Sequence, residues 1–180
     1  MARRTHRTPS VADAPAETAP PMAAANRFDP GNRRRLSGPG FRAFLNIADL
    51  WDLSETERLM VLGLPGRSTY FGWVSKTRDG RELTLPVDVL LRISGVLGVH
   101  KALRILFGGS KAEEVSWLRD PHDAPVFGGQ PPMALLANGT QDGIMLVRRY
   151  LDAFRGGVFA PLGTVDLDFQ PYSDDDVIIV

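Results

Sequence analysis

The chain contains no cysteine, only three histidines, and no apolar run approaching the ~20 residues that cross a bilayer as a helix. The first absence excludes disulfides and thiolate metal sites outright, and suits a reducing compartment. The histidines, His6, His100 and His122, lie far apart and none belongs to an HExxH-like pattern. No metal and no cofactor is therefore expected. Gly108-Gly109-Ser110-Lys111 lacks both the GxxxxGK[ST] spacing and the preceding strand of a phosphate loop. Asp174-Asp175-Asp176 lacks the alternating ligands and central glycine of a calcium loop. Enzymatic chemistry is not expected. Arg3, Arg4 and Arg7 are followed by no apolar stretch of the secretory kind, so a cytoplasmic address is the expectation.

What is present is enough apolar residue for a core, 43% of 180 positions, in one ordinary domain or two small ones with tails. Formal net charge is zero but unevenly spread. Residues 1–42 carry eight arginines against Asp13, Glu17 and Asp29, a net of +5, whereas residues 158–180 carry five aspartates and no base, a net of −5. A basic head and an acidic tail suggest two different partners; the plainer reading is that both ends are merely solvated.

Punctuation divides the chain into four parts. Residues 1–39, rich in Ala, Pro, Thr and Arg, read as a disordered basic arm, with order beginning near Phe41. Residues 40–84 read as short helices. Phe41, Phe44, Leu45 and Ala48 fall at helical spacing. Ser54 with Glu57 forms a capping box opening a helix through Leu59, Met60 and Leu62, ended by Gly63-Leu64-Pro65-Gly66. Another helix follows from Arg67 to Lys76, with a turn at Asp79-Gly80.

In residues 85–157 an apolar stripe of Val89, Leu90, Ile93, Val96 and Leu97 follows Pro86, and Gly98 is expected to break that helix before Ala102 resumes the pattern. Shorter helices are expected over Glu113–Leu118 and Met133–Leu136, and a longer one over Ile144–Phe154 with Gly156-Gly157 as its stop. Residues 158–180 differ: Val165, Leu167 and Phe169 alternate with polar neighbours, and the segment runs on to Val177-Ile178-Ile179-Val180. Such β-branched residues need covering, by this chain or by a partner. The fold expected is all-α, with an extended tail.

Two kinds of contact surface emerge. Leu59–Gly63 and Arg67–Trp73 read as the two helices of a helix-turn-helix, in which Arg67, Ser68, Thr69, Tyr70 and Lys76 are the candidates to meet DNA and Arg78 and Arg81 could add phosphate contacts. A helical hairpin that only packs is the alternative, favoured by Gly72 inside the second helix and by the neutral body. The second surface is for protein. Trp117, Pro121, Phe127 and Tyr150 are types that anchor interfaces, although for Trp117 and Leu118 core packing is the favoured reading. The tail has the pattern to add a strand to a partner or plug a cleft.

Ala102-Leu103-Arg104-Ile105-Leu106-Phe107, Trp117-Leu118-Arg119-Asp120-Pro121, Pro125-Val126-Phe127-Gly128-Gly129, Pro132 with Leu135-Leu136, Gly143, and Val147-Arg148-Arg149-Tyr150-Leu151-Asp152-Ala153 together resemble the Xre/MbcA/ParS antitoxin family. The resemblance spans roughly Phe41 to Gly157 and includes Leu62-Gly63-Leu64 and Ser68-Thr69-Tyr70 with Trp73. It implies a helix-turn-helix domain followed by a toxin-binding helical domain. Such antitoxins of type II systems pair with RES-domain toxins, which consume NAD or transfer ADP-ribose from it. They neutralise by covering the active-site cleft, and many dimerise and repress their own operon. The toxin-binding residues implied here are Trp117, Arg119, Pro121, Phe127, Arg148, Tyr150, Phe169, Tyr172, Asp174, Asp175, Asp176 and Val180. A transcriptional regulator acting mainly on DNA is the competing expectation. Departures from the family pattern are Pro65-Gly66 in the turn, Gly72, and the long tail beyond Gly157.

Overall fold

Seven helices, with no strand, make up residues 29–156, the part of the chain that the computed structural model describes. They are α1 (Pro30–Leu50), α2 (Glu55–Val61), α3 (Arg67–Arg78), α4 (Val87–Leu106), α5 (Lys111–Arg119), α6 (Pro132–Leu136) and α7 (Gln141–Arg155). The all-α expectation holds for these residues.

Helix α1 starts at Pro30, well before Phe41, so the expected basic arm of residues 1–39 is too long. Asp29 supplies the reason: its Oδ2 accepts from Gly31 N at 3.0 Å and Asn32 N at 3.4 Å, and Pro30 fits the first helical position, where no N–H is needed. The early turns are also held from outside the helix. Arg33 Nη2 donates to Leu85 O at 3.0 Å, and Ser37 Oγ accepts from Leu85 N at 2.8 Å while donating to Arg33 O at 2.7 Å. These bonds lock α1 to the α3–α4 connection.

Helix α2 opens on the capping box read from the sequence: Ser54 Oγ accepts from Glu57 N at 3.3 Å and Glu57 Oε2 accepts from Ser54 N at 2.8 Å. The turn into α3 passes through positive φ at Gly63 (83°) and Leu64 (61°). Glycine adopts that region freely and leucine does not, so Leu64 marks local strain.

Gly98 does not break α4, contrary to expectation; the helix runs unbroken from Val87 to Leu106. Its glycines admit neighbours instead. A Cβ on Gly95 would lie 2.7 Å from Ile144 Cγ2, and one on Gly98 would lie 2.7 Å from Arg148 Nε. Close packing of α7 on α4 thus offsets the propensity loss of two helical glycines. Helix α4 also packs against α1, placing it at the centre.

One hydrophobic cluster runs through Phe41, Phe44 and Trp51 of α1, Leu62, Leu85, Ile93 and Leu103, and on to Leu118, Leu136, Ile144 and Leu151. The expected boundary between residues 84 and 85 therefore crosses a continuous core.

Candidate functional site

Helices α2 and α3 meet at a turn of the helix-turn-helix kind, and α3 presents Ser68, Thr69 and Lys76 to solvent. Arg67 is also exposed, but its Nε pairs with Glu55 Oε1 at 2.6 Å and its guanidinium lies 6.0 Å from the Phe71 ring centre. Tyr70 is buried, edge-on to Phe41 at 6.2 Å, and belongs to the core, not the outward face. Its neighbour Phe71, not among the expected DNA contacts, is 47% exposed. Arg81 folds back on Asp79 and Ser75, whereas Arg78 and Lys76 are exposed and take part in no described ion pair.

The second candidate surface is an aromatic cluster on α5, the following turn and α7. Trp117 meets Phe127 at 5.9 Å and His122 at 5.0 Å, Phe127 meets Tyr150 at 4.8 Å, and Tyr150 stacks toward Phe154 at 6.3 Å. The bend that folds Phe127 back follows from Gly128 (φ 56°) and Gly129 (φ 77°), whose N–H donates to His122 O at 3.1 Å. His122 Nε2 bonds Trp117 O at 2.8 Å. Phe127 is buried and acts as the keel, while Trp117 and Tyr150 are partly covered and Pro121 is exposed. Leu118, as the packing alternative proposed, is core. Phe154, one turn beyond Tyr150 and half exposed, extends the apolar strip; its spacing was the available signal.

Two predicted contact residues are engaged within the chain. Arg119 turns to α2, where Nη1 donates to Glu57 Oε1 at 2.5 Å and Nη2 donates to Asp52 O at 3.1 Å. Its partners lie more than sixty positions away in sequence, so no local pattern disclosed them. Arg148 lies over Gly98 and within 3.6 Å of Asp152 Oδ2. Arg149, not singled out, is exposed on the same helix. Phe169, Tyr172, Asp174, Asp175, Asp176 and Val180 lie outside the described residues.

Electrostatics beneath this surface are local. Burial would push the Glu57 carboxyl up, but hydrogen bonds from Arg119 and Ser54 outweigh it and hold Glu57 below the usual carboxylate value. His100, between α1 and α5, is lowered, chiefly by burial, with Glu114 opposing and Arg104 reinforcing the shift. Glu114 is fully buried, 3.5 Å from His100 Nδ1 and 3.9 Å from Arg104 Nε. Among the described residues no group of three or more His, Asp or Glu is gathered to hold a metal, and no helix is long and apolar enough to cross a membrane. What these surfaces offer is shape, aromatic area and charge.

Comparisons with known proteins match this layout. Residues 102–157 match the family described as the antitoxin Xre/MbcA/ParS C-terminal toxin-binding domain, and residues 30–98 match the antitoxin Xre-like helix-turn-helix domain. The chain is also 44% identical over 115 residues to the uncharacterized protein y4oB of Sinorhizobium fredii, a stretch covering 64% of this chain and 83% of that relative. The helix-turn-helix match begins at Pro30, where α1 begins, and the aromatic cluster falls wholly inside the toxin-binding match.

Proposed function

The chain belongs to the Xre/MbcA/ParS antitoxin family, and from that membership we propose that it neutralises a RES-type toxin, one that consumes NAD or transfers ADP-ribose, by covering its active-site cleft. The observation that carries this reading is the strip of Trp117, Tyr150 and Phe154 over buried Phe127, inside the matched toxin-binding domain. Partly exposed aromatic side chains on a rigid keel are what a protein interface needs at its centre. On this reading the chain performs no chemistry and needs no cofactor; it acts in the cytoplasm as the antitoxin of a type II system.

The helical surface docks beside the cleft, and residues 158–180 enter or cross it. The aspartates Asp174, Asp175 and Asp176 then pair with cationic groups that otherwise hold the NAD pyrophosphate, while Phe169, Tyr172 and Val180 add apolar contact. Deleting residues 163–180 and measuring toxin inhibition tests the plug. Weaker neutralisation is expected; undiminished neutralisation overturns the plug and leaves the helical surface as the inhibitor.

A second role, repression of its own operon as a homodimer, is favoured by one feature: Ser68, Thr69 and Lys76 stand free on one exposed helix that follows a turn. Operator binding measured across salt, with and without residues 1–29, tests it. Phosphate contacts from the arginines of that segment predict a salt slope that flattens when it is removed.

A further inference from the structure

Helices α1 and α4 leave an apolar groove of about 400 Å³ between them, walled by Leu36, Pro39, Leu90, Leu91 and Leu97 with Arg33 at one end. Its origin is visible in the sequence. Ser37, Gly38, Pro39 and Gly40 put no large side chain between Leu36 and Phe41, and Ser37 is turned inward to Leu85, so α1 cannot fill the space beside α4. Leu36 remains 39% exposed. Left open, such a groove keeps aliphatic surface in water.

Arg33 gives the groove a chemical preference. Its Nη2 is satisfied by Leu85 O, but its Nε is buried and has no hydrogen-bond partner. A buried guanidinium N–H without an acceptor asks for a carboxylate or another strong acceptor. Arg34 and Arg35 follow on exposed positions of the same turn, Arg34 already paired with Glu82 Oε1 at 2.6 Å and Arg35 donating to the neutral Asn32 Oδ1 at 3.3 Å, which leaves Arg35 without a carboxylate partner among the described residues. The occupant that fits is an extended segment with acid at one end and aliphatic side chains at the other.

Asp174-Asp175-Asp176-Val177-Ile178-Ile179-Val180 has that order of charge and apolarity, and its acids complement the arginine end. We propose that this segment of the same chain seats in the α1–α4 groove, an Asp carboxylate pairing with the Arg33 guanidinium and the aliphatic residues covering Leu36, Leu90 and Leu97. Residues 157–173 link Gly156 to the segment, and seventeen residues span up to roughly 56 Å at ~3.3 Å each. The farthest point over the surface of a body of 128 residues, roughly 36 Å across, is about 57 Å away, and Gly156 ends a helix packed on α4 itself, so the groove lies within the tether's reach. Tethering favours this seat over the same segment from a second copy, because it holds the local concentration high.

The test uses the full chain without toxin, so its failure leaves the antitoxin reading untouched. Methyl resonances of the wild type are compared with those of a variant carrying V177S, I178S, I179S and V180S, substitutions outside the helical body. Shifts confined to Leu36, Leu90, Leu91 and Leu97 are expected, with Ile105 and Leu146 unmoved. D174N, D175N and D176N together should shift the Arg33 Nε–H resonance. Introducing Leu97→Asp, checked for an unchanged helical spectrum, should abolish the methyl differences. Groove methyls identical in wild type and tail variant overturn the proposal, as do differences that fade on dilution, which would assign the seat to a second copy.

Discussion

Arg119 Nη1 stands 2.5 Å from Glu57 Oε1, and the pair joins α5 of the toxin-binding domain to the first turn of α2 in the helix-turn-helix domain. The same guanidinium bonds the carbonyls of Trp51 and Asp52 at the end of α1. A residue of the family pattern thus serves here to hold the two domains as one body. Arg119→Ala is expected to lower unfolding stability by roughly 1–2 kcal/mol, since charge-assisted bonds are lost from a partly screened site. Urea denaturation checks the loss. Toxin affinity of the folded variant should stay at the wild-type level; a large drop without destabilisation would return Arg119 to the interface.

Acid should weaken the fold in two separate windows. His100 is lowered from 6.5 by burial, so the unfolded chain takes the proton first; the stability it contributes is full above pH 6.5 and falls as pH drops through its folded value. Glu57 is lowered from 4.5, so its contribution is full above pH 4.5 and is lost as pH falls through its own folded value. Urea midpoints measured against pH should therefore decline below 6.5 and again below 4.5. His100→Gln should flatten the first decline and Glu57→Gln the second.

Two glycines should respond to alanine with opposite signs. A Cβ on Gly143 would lie 2.1 Å from the backbone oxygen of Leu135, which cannot swing aside, so Gly143→Ala should destabilise by at least ~1–3 kcal/mol. Gly72 faces open space in the middle of α3, and Gly72→Ala should stabilise by up to ~1 kcal/mol. Thermal unfolding of the two variants decides both.

On α3, Tyr70 and Lys76 should separate folding from DNA contact. Tyr70→Ala removes a buried ring and should cost about 3–5 kcal/mol of stability. Lys76→Ala should leave stability unchanged, weaken operator binding, and reduce the salt slope by about one unit. Unaltered operator binding by Lys76→Ala would remove that residue from the interface.

Much of the helix layout was legible because the chain marks its own boundaries. Ser54 with Glu57 and Pro86 each sit where a helix begins, whereas Ser110 and Thr140 cap α5 and α7 a little before the expected starts at Glu113 and Ile144, because polar first turns carry no apolar periodicity. The earlier start of α1 depended on Arg33 and Ser37 finding Leu85, a pairing across the chain that periodicity does not encode. Gly98 looked like a breaker because propensity speaks only of the isolated helix, whereas Arg148 occupies the space that Gly98 leaves. Of the contact residues, Trp117 and Tyr150 could be chosen by type, but the burial of Tyr70 and the inward turn of Arg119 depend on which side of each helix meets the core. That is settled by packing between elements distant in sequence.

Neutralisation by occlusion is tested by NAD consumption of a cognate RES-type toxin titrated with this purified chain. Turnover is expected to fall in proportion to added protein and to be abolished near equivalence. A toxin that remains fully active in excess of this chain would contradict it.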